Sequence, residues 1–202
     1  MTTVAISATQ VKELRDKTGA GMMECKAALT EAGGNIDEAI TLLRKRGLAQ
    51  AAKKTGRSTE QGLIGHYIHM GGKIGVLVEV NCESDFVART DDFQGMVKEI
   101  AMHIAAAAPQ YVRREDVPAD VIAREKDVYR GQMADSGKPA NVIEKIIEGK
   151  LNSFYEQTCL LEQPSIRDPK ATIGALVTAA IAKLGENISI ARFARFKVGE
   201  SA

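Results

Sequence analysis

Tryptophan is absent from this chain and aromatic residues make up only 4% of it. Few rings are therefore on hand to stack on bases, as binders of single-stranded nucleic acid require. Charge of one sign is lacking too: 27 Lys plus Arg stand against 26 Asp plus Glu, a net +1, without the basic surplus of a dedicated nucleic-acid binder. Long apolar runs are missing. No stretch approaches the ~18 uninterrupted apolar residues of a membrane span. The start, Met1 to Ile6, has neither the cationic region nor the apolar run of a signal peptide, so no membrane partner and a cytoplasmic location are expected. The cysteines, Cys25, Cys82 and Cys159, are odd in number, far apart and never in a C-x-x-C pair. That spacing speaks against a disulfide framework and a zinc site, leaving buried thiols as the expectation.

Signatures of chemistry are equally thin. Gly19-Ala20-Gly21 opens like a dinucleotide fingerprint, but its sixth position is Glu24 and no strand signal precedes it. Gly72-Lys73 lacks the upstream glycine and the following Ser or Thr of a P-loop. His66 and His69 would share a metal on a helix, whereas on a strand an offset of three sends them to opposite faces. Only His103 remains, with no nucleophile and acid legible beside it. No catalytic residues, metal or cofactor are expected, and the chain reads as a protein that is not an enzyme.

What is present is helix punctuation and a short β signal. The 202 residues, 45% of them hydrophobic, are enough for a sizeable core. Ser7-Ala8-Thr9-Gln10 has capping-box spacing, followed by Val11 and Leu14 on one face and a stop at Thr18-Gly19. A second helix opens near Met22 with a stripe of Met22, Cys25 and Leu29 and ends at Gly33-Gly34. Asn35 caps a third, with Asp37 and Glu38 in its first turn, Ile36, Ile40 and Leu43 on one face, and Arg44, Lys45 and Arg46 before Gly47.

The stretch from Leu48 to Gly62 turns small, basic and polar, as a linker does, with a helical beginning as one reading of it. Leu63 to Met70 and Ile74 to Cys82 flank Gly71-Gly72, and Ile74, Val76, Val78 and Val80 alternate in period two, which predicts a hairpin. Asp91 to Ala108 reads as a helix burying Phe93, Val97, Ile100 and Ile104 before Pro109. A helical hairpin follows, with Val121, Ile122, Val128 and Met133 as a partial stripe, a break at Gly137-Lys138-Pro139, and a return beginning at Val142 and Ile143. The last elements are a helix from Ile173 to Leu184 and a strand from Ile188 to Val198, with Ile188, Ile190 and Arg192 facing away from Ser189, Ala191 and Phe193.

These readings give an α+β fold. Residues 1–50 form a three-helix module similar to ubiquitin-associated domains, 51–62 a linker, and 63–202 a core. The core is a small antiparallel three-stranded sheet with helices on one side, carrying a helical hairpin around 118–158. Such a sheet leaves its other apolar face uncovered, so it is expected to pair with a second copy of the chain.

Two long runs carry a family resemblance. Leu14-Arg15-Asp16-Lys17-Thr18-Gly19-Ala20-Gly21-Met22-Met23-Glu24-Cys25-Lys26-Ala27-Ala28-Leu29 and Glu79-Val80-Asn81-Cys82-Glu83-Ser84-Asp85-Phe86-Val87-Ala88 resemble the two signatures of the elongation factor Ts family. Ala51-Ala52-Lys53-Lys54, Ala101-Met102-His103-Ile104-Ala105 and Gly185-Glu186-Asn187-Ile188 fit as well, so the likeness covers nearly the whole chain, at the length of the short bacterial members.

The resemblance implies an exchange factor that promotes GDP release from elongation factor Tu and needs no cofactor. It implies a wedge of Ser84, Asp85, Phe86 and Val87 aimed at the magnesium side of the nucleotide pocket. N-terminal docking falls to Leu14, Arg15, Gly19, Ala20, Gly21, Met22, Met23 and Lys26, with weaker core contacts at Ile74, Gly75 and His103. Elongation factor Tu, GDP-bound or nucleotide-free, and a second copy of the chain are the expected partners, and no direct nucleic acid is. The family usually has threonine where Ser84 stands; serine keeps the hydroxyl and lacks the methyl. Short relatives that link their dimers through a terminal-strand cysteine find no counterpart in Arg192-Phe193-Ala194-Arg195-Phe196.

From the residues alone, other readings stand beside these. Phe86 at a strand-to-helix corner suits a buried core plug, and Ser84 or Asp85 suits an N-cap. Met22 and Met23 suit a core, though adjacent helix residues cannot both face it. His103 suits a satisfied helix residue, and Lys53, Lys54 and Arg57 a solvated face. The alternative function is a helical protein-interaction adaptor of ubiquitin-associated type, and a more distant one is RNA binding through the Lys53 to Arg57 stretch.

Overall fold

The computed structural model describes residues 6–133 and 136–200. The opening stretch weighed above as a leader lies, up to Ala5, outside them. Among the described residues eleven α-helices and β-strands follow in the order α1 (Ala8–Thr18), α2 (Met22–Glu31), α3 (Ile36–Lys54), β1 (Gln61–Ile68), β2 (Ile74–Cys82), α4 (Asp85–Ala88), α5 (Asp91–Ala107), α6 (Ala119–Met133), α7 (Ala140–Thr158), α8 (Ile173–Leu184) and β3 (Ile188–Lys197). The fold is α+β, with a three-stranded antiparallel sheet in the order β1-β2-β3. Among the described residues no helix is long and apolar enough to cross a membrane.

The chain forms two compact units. The first gathers the chain up to Leu63 together with Asn81–Gln94 and Val177–Ser189. Its three leading helices are fixed by local chemistry. Ser7 Oγ accepts from the Gln10 N–H while the Gln10 side chain accepts from the Ser7 N–H, and Asn35 Oδ1 accepts from the N–H groups of Asp37 and Glu38. Between them Val11, Leu14, Cys25, Ala28, Leu29, Ala32 and Ala39 make a sealed core.

Two expectations fail here for physical reasons. Met22 is not part of the α2 stripe, which is Cys25, Ala28 and Leu29. It is the first helical residue, where helix geometry directs a side chain toward the N-terminus, and it is exposed. Nor does Gly47 end α3, which continues through it to Lys54, so the beginning of the expected linker is helical. A Cβ at position 47 would stand 3.0 Å from the Ala182 methyl carbon, so this glycine serves close packing against α8.

The second unit holds Ile64–Val80, Gly95–Leu176 and the chain from Ile190 on. Its sheet buries Val76, Val78 and Val80, the even positions of β2, and α5 brings Val97, Ile100 and Ile104 to the same core. The His69 N–H to Ile74 carbonyl bond sets the hairpin register, and the Val198 N–H to Lys73 carbonyl bond sets that of β2 with β3. The expected alternation of β3 does not run through. Ile190 is buried, yet Arg192 pairs with Glu79 on the opposite face, and Arg195 Nε donates to the Ala105 carbonyl at the end of α5. One residue between Ile190 and Arg192 shifts the phase, as a β-bulge does.

The helical hairpin is present, with α6 packed on α7. Only α7 contributes fully buried residues, Ile147, Leu151 and Thr158, and Val128 of the expected α6 stripe is exposed. At its base Arg114 spans Glu162 and Asn152 and lies 4.7 Å over the Tyr155 ring.

Gly65 is the tightest point of the second unit. A Cβ there would fall 2.2 Å from Val97 Cγ1, so β1 and α5 approach through a gap that only glycine leaves. Gly65→Ala is expected to cost about 1–3 kcal/mol by overpacking, read as a fall in the urea midpoint. Adding Val97→Ala should return part of that loss, and an unchanged midpoint in the single variant would contradict the packing.

Candidate functional site

The first unit contains a corner where β2 ends and the chain turns into α4, a single turn of four residues. Ser84 is its N-cap, in extended conformation, with its hydroxyl accepting from the Val87 N–H. Phe86, the second residue of α4, is 79% exposed. The core-plug reading therefore fails: the plug is Ala88, on the inner side of the same turn, and the ring stands in solvent. Asp85 pairs with Arg89 at 2.7 Å, both well exposed, so the pair adds little stability and opens readily.

A second turn, between α8 and β3, holds this corner. Glu186 Oε1 accepts from the Ser84 hydroxyl at 2.6 Å and its Oε2 accepts from the Ser84 N–H at 2.9 Å. Next to it, the Asn187 N–H donates to Glu83 Oε1 at 2.6 Å, and the Asn187 side-chain amide donates to the Arg57 carbonyl at 2.8 Å. The Arg57 guanidinium lies 3.5 Å from Glu83 Oε2. Beneath the corner the Cys82 thiol donates to the Ser84 carbonyl, and burial, then the Glu186 carboxylate, push its pKa up. Such a thiol stays protonated and is structural.

The N-terminal candidates lie in the same unit. Arg15, Gly19, Gly21, Met22, Met23 and Lys26 are exposed and Ala20 half-buried. Both methionines face out, Met22 at 53% and Met23 at 77%, where only one was expected to be free. Leu14 is corrected: it is wholly buried in the helical core and has no surface for a partner. Lys183 ties the two sets of candidates together. Its Cε would stand 3.2 Å from a Cβ on Gly19, and its ammonium is 2.7 Å from Asp92, at the start of α5 just beyond the corner.

Ile74, Gly75 and His103 belong to the second unit. Ile74 and Gly75 begin β2 and are half-buried. His103 is corrected as a surface contact, being 1% exposed. Its Nε2 is 2.9 Å from Gln163 Oε1, and the Ile166 N–H points at Nδ1 from 3.4 Å. Gln163 spends its own amide N–H on the Gln157 carbonyl, which makes its oxygen the acceptor and puts the histidine proton on Nε2. Burial lowers the His103 pKa, against the opposing pull of Gln163 and the Glu99 carboxylate.

Comparison with known proteins decides the family. The family model described as Elongation factor TS matches residues 1–200. The chain belongs to the elongation factor Ts family. It is 63% identical over 195 residues to elongation factor Ts of Fervidobacterium nodosum, covering 96% of this chain and 99% of that one. With elongation factor Ts of Solibacter usitatus it shares 60% identity over 196 residues, 97% of this chain and 92% of the other. Geobacter sulfurreducens supplies a third elongation factor Ts, 58% identical over 197 residues, 98% and 91% of the two chains. Membership places the chain among the factors of translation elongation.

Among the described residues no group of His, Cys, Asp and Glu is arranged to hold a metal ion. The side chains that sequence reasoning missed are Glu186 and Asn187. Their run fits the family pattern, but a polar pair after a helix-ending glycine reads as an ordinary turn, and its partners lie about a hundred residues away.

The His103 arrangement has a pH consequence. A second proton would have to sit on Nδ1, against the Ile166 N–H, so the folded protein takes it up less readily than the unfolded chain. The stability from neutral His103 is full above the unfolded value near 6.5 and is lost as pH falls toward the lowered folded value. Urea unfolding from pH 7.5 down to 5.5 should show a steeper decline for the parent than for His103→Gln, and parallel curves would contradict it.

Proposed function

We propose that this chain is a guanine-nucleotide exchange factor for elongation factor Tu, opening the magnesium and phosphate side of the GDP site without chemistry of its own. The observation that carries the reading is the Phe86 ring, held in solvent on a four-residue helix whose cap is bonded from a separate turn. A large apolar side chain kept outside the core, beside a carboxylate paired with an exposed arginine, suits insertion into another protein. Asp85 leaves Arg89 at a cost of no more than about 1 kcal/mol. The exposed methionine pair of α2 offers adaptable apolar contact for docking on the same partner.

Energetics set the division of labour. GDP and the factor must weaken each other in the ternary complex, and linkage makes that weakening reciprocal, so neither remains trapped. A thousandfold faster release needs roughly 4 kcal/mol of barrier reduction. Burying one phenylalanine supplies about 1.5–3 kcal/mol, so Phe86 and the docking surface act together.

The reading includes a homodimer in the cytoplasm. Through the register of the sheet, Ile64, Ile68, Leu77, Ala194 and Phe196 share the face turned away from α5, with Gly75 opposite Ile68. Ile64, Ile68, Leu77 and Phe196 are all exposed, an apolar face bordered by His66 and the Glu79–Arg192 pair. A self-complementary face of this kind suits a two-fold interface.

Phe86→Ala should leave thermal unfolding unchanged and slow release of a fluorescent GDP analogue from elongation factor Tu by about tenfold or more, roughly 1.4 kcal/mol at the transition state. Binding without any acceleration by the parent chain would favour the adaptor reading. For the dimer, Leu77→Lys at the centre of the face should shift sedimentation to the monomer with the fold retained; a parent that sediments as a monomer at micromolar concentration would refute it.

A further inference from the structure

We infer that Glu186 is the positioning residue of the exchange wedge: its carboxylate fixes Ser84 so that Phe86 is presented at one place. The inference rests on the exchange reading above and extends it to a residue that acts through Ser84.

A four-residue helix does not hold itself in place, because nucleating a turn fixes several dihedrals for one hydrogen bond. Its position must come from its ends. At the leading end Ser84 offers two donors, its backbone N–H and its hydroxyl, and Glu186 meets them with two separate oxygens at 2.9 and 2.6 Å. Only a carboxylate can do this, since the amide of glutamine presents one acceptor oxygen and one NH2 group. The hydroxyl, having donated to Glu186, keeps a lone pair for the Val87 N–H, so one atom carries both the grip and the helix cap. One residue earlier the bond runs the other way, the Asn187 N–H donating to Glu83 Oε1, so each turn lends the other a carboxylate. Charge-assisted bonds of this kind are about twice as strong as neutral ones. They fix the backbone on either side of the peptide that leads into Asp85 and Phe86, while the ring itself stays exposed.

The chain has no tryptophan, so Phe86→Trp places a single reporter at the wedge, where exposure tolerates it. Fluorescence anisotropy decay of that variant should show greater local motion when Glu186→Ala is added and an intermediate change with Glu186→Gln, which keeps one acceptor. In chains with Phe86 intact, Glu186→Ala should lower the maximal rate of GDP release from elongation factor Tu by about tenfold. The concentration of factor giving half that rate should stay within about twofold, because the docking helices are untouched. Ser84→Ala removes the hydroxyl leg together with the cap bond to the Val87 N–H, and the part of its effect that runs through Glu186 should fail to add to that of Glu186→Gln.

Unchanged anisotropy and maximal rate in Glu186→Ala would overturn the proposal. So would a shared loss of maximal rate, half-saturation and melting temperature, which would make Glu186 a general stability residue. If the parent chain accelerates no release, the exchange reading falls, and the anisotropy alone then decides whether Glu186 fixes the corner.

Discussion

The bonds from Glu186 to both donors of Ser84 answer a problem that any protruding apolar side chain poses. A phenylalanine gains about 1.5–3 kcal/mol on burial, so a flexible corner would let the ring fold back onto the nearest apolar surface. The chain prevents this by fixing the backbone rather than the ring. Ala88 anchors the inner side of α4, Ser84 is gripped at its start, and Glu83 is held by Asn187, which leaves Phe86 no short path inward. The same fixed corner supplies the thiol environment of Cys82 and the ion pair of Arg57, both of which depend on where Glu83 and Ser84 lie.

Much of this architecture was legible because its signals are local. Ser7 and Asn35 announce helix starts through bonds made within three residues, and Val76, Val78 and Val80 announce a half-buried strand through a period that no helix shares. The reading failed where a residue answers to something distant in the sequence. Gly47 looks like a helix stop until Ala182 is placed beside it, and the alternation of β3 breaks at a bulge that no composition announces. His103 meets its hydrogen-bond partners at Gln163 and Ile166, some sixty residues on, so neither its depth nor its tautomer could be read from the helix that carries it.

The site divides in the same way. The family likeness named the wedge residues but could not say which of the docking candidates own surface, and burial of Leu14 with exposure of both methionines is a matter of how three helices close around Cys25 and Leu29. Among the exposed apolar side chains, three groups differ in their physical basis. Met22 and Met23 are flexible and polarizable, Phe86 stands on a corner bonded from a second turn, and the sheet face of Ile64, Ile68, Leu77 and Phe196 is patterned by the pleat. Flexible, mounted and patterned surfaces suit docking, insertion and self-pairing respectively.

The bulge in β3 reaches further than the strand that contains it. Helix α5 has no basic residue in its last turn to offset the negative end of its dipole, and its Ala105 carbonyl is among the four that no helical N–H can satisfy. By reversing the alternation, the bulge carries Arg195 inward to that carbonyl. The cation that finishes α5 is thus encoded ninety residues downstream, in β3, so a frameshift or truncation between the two that spares every residue of α5 would still remove its electrostatic terminus.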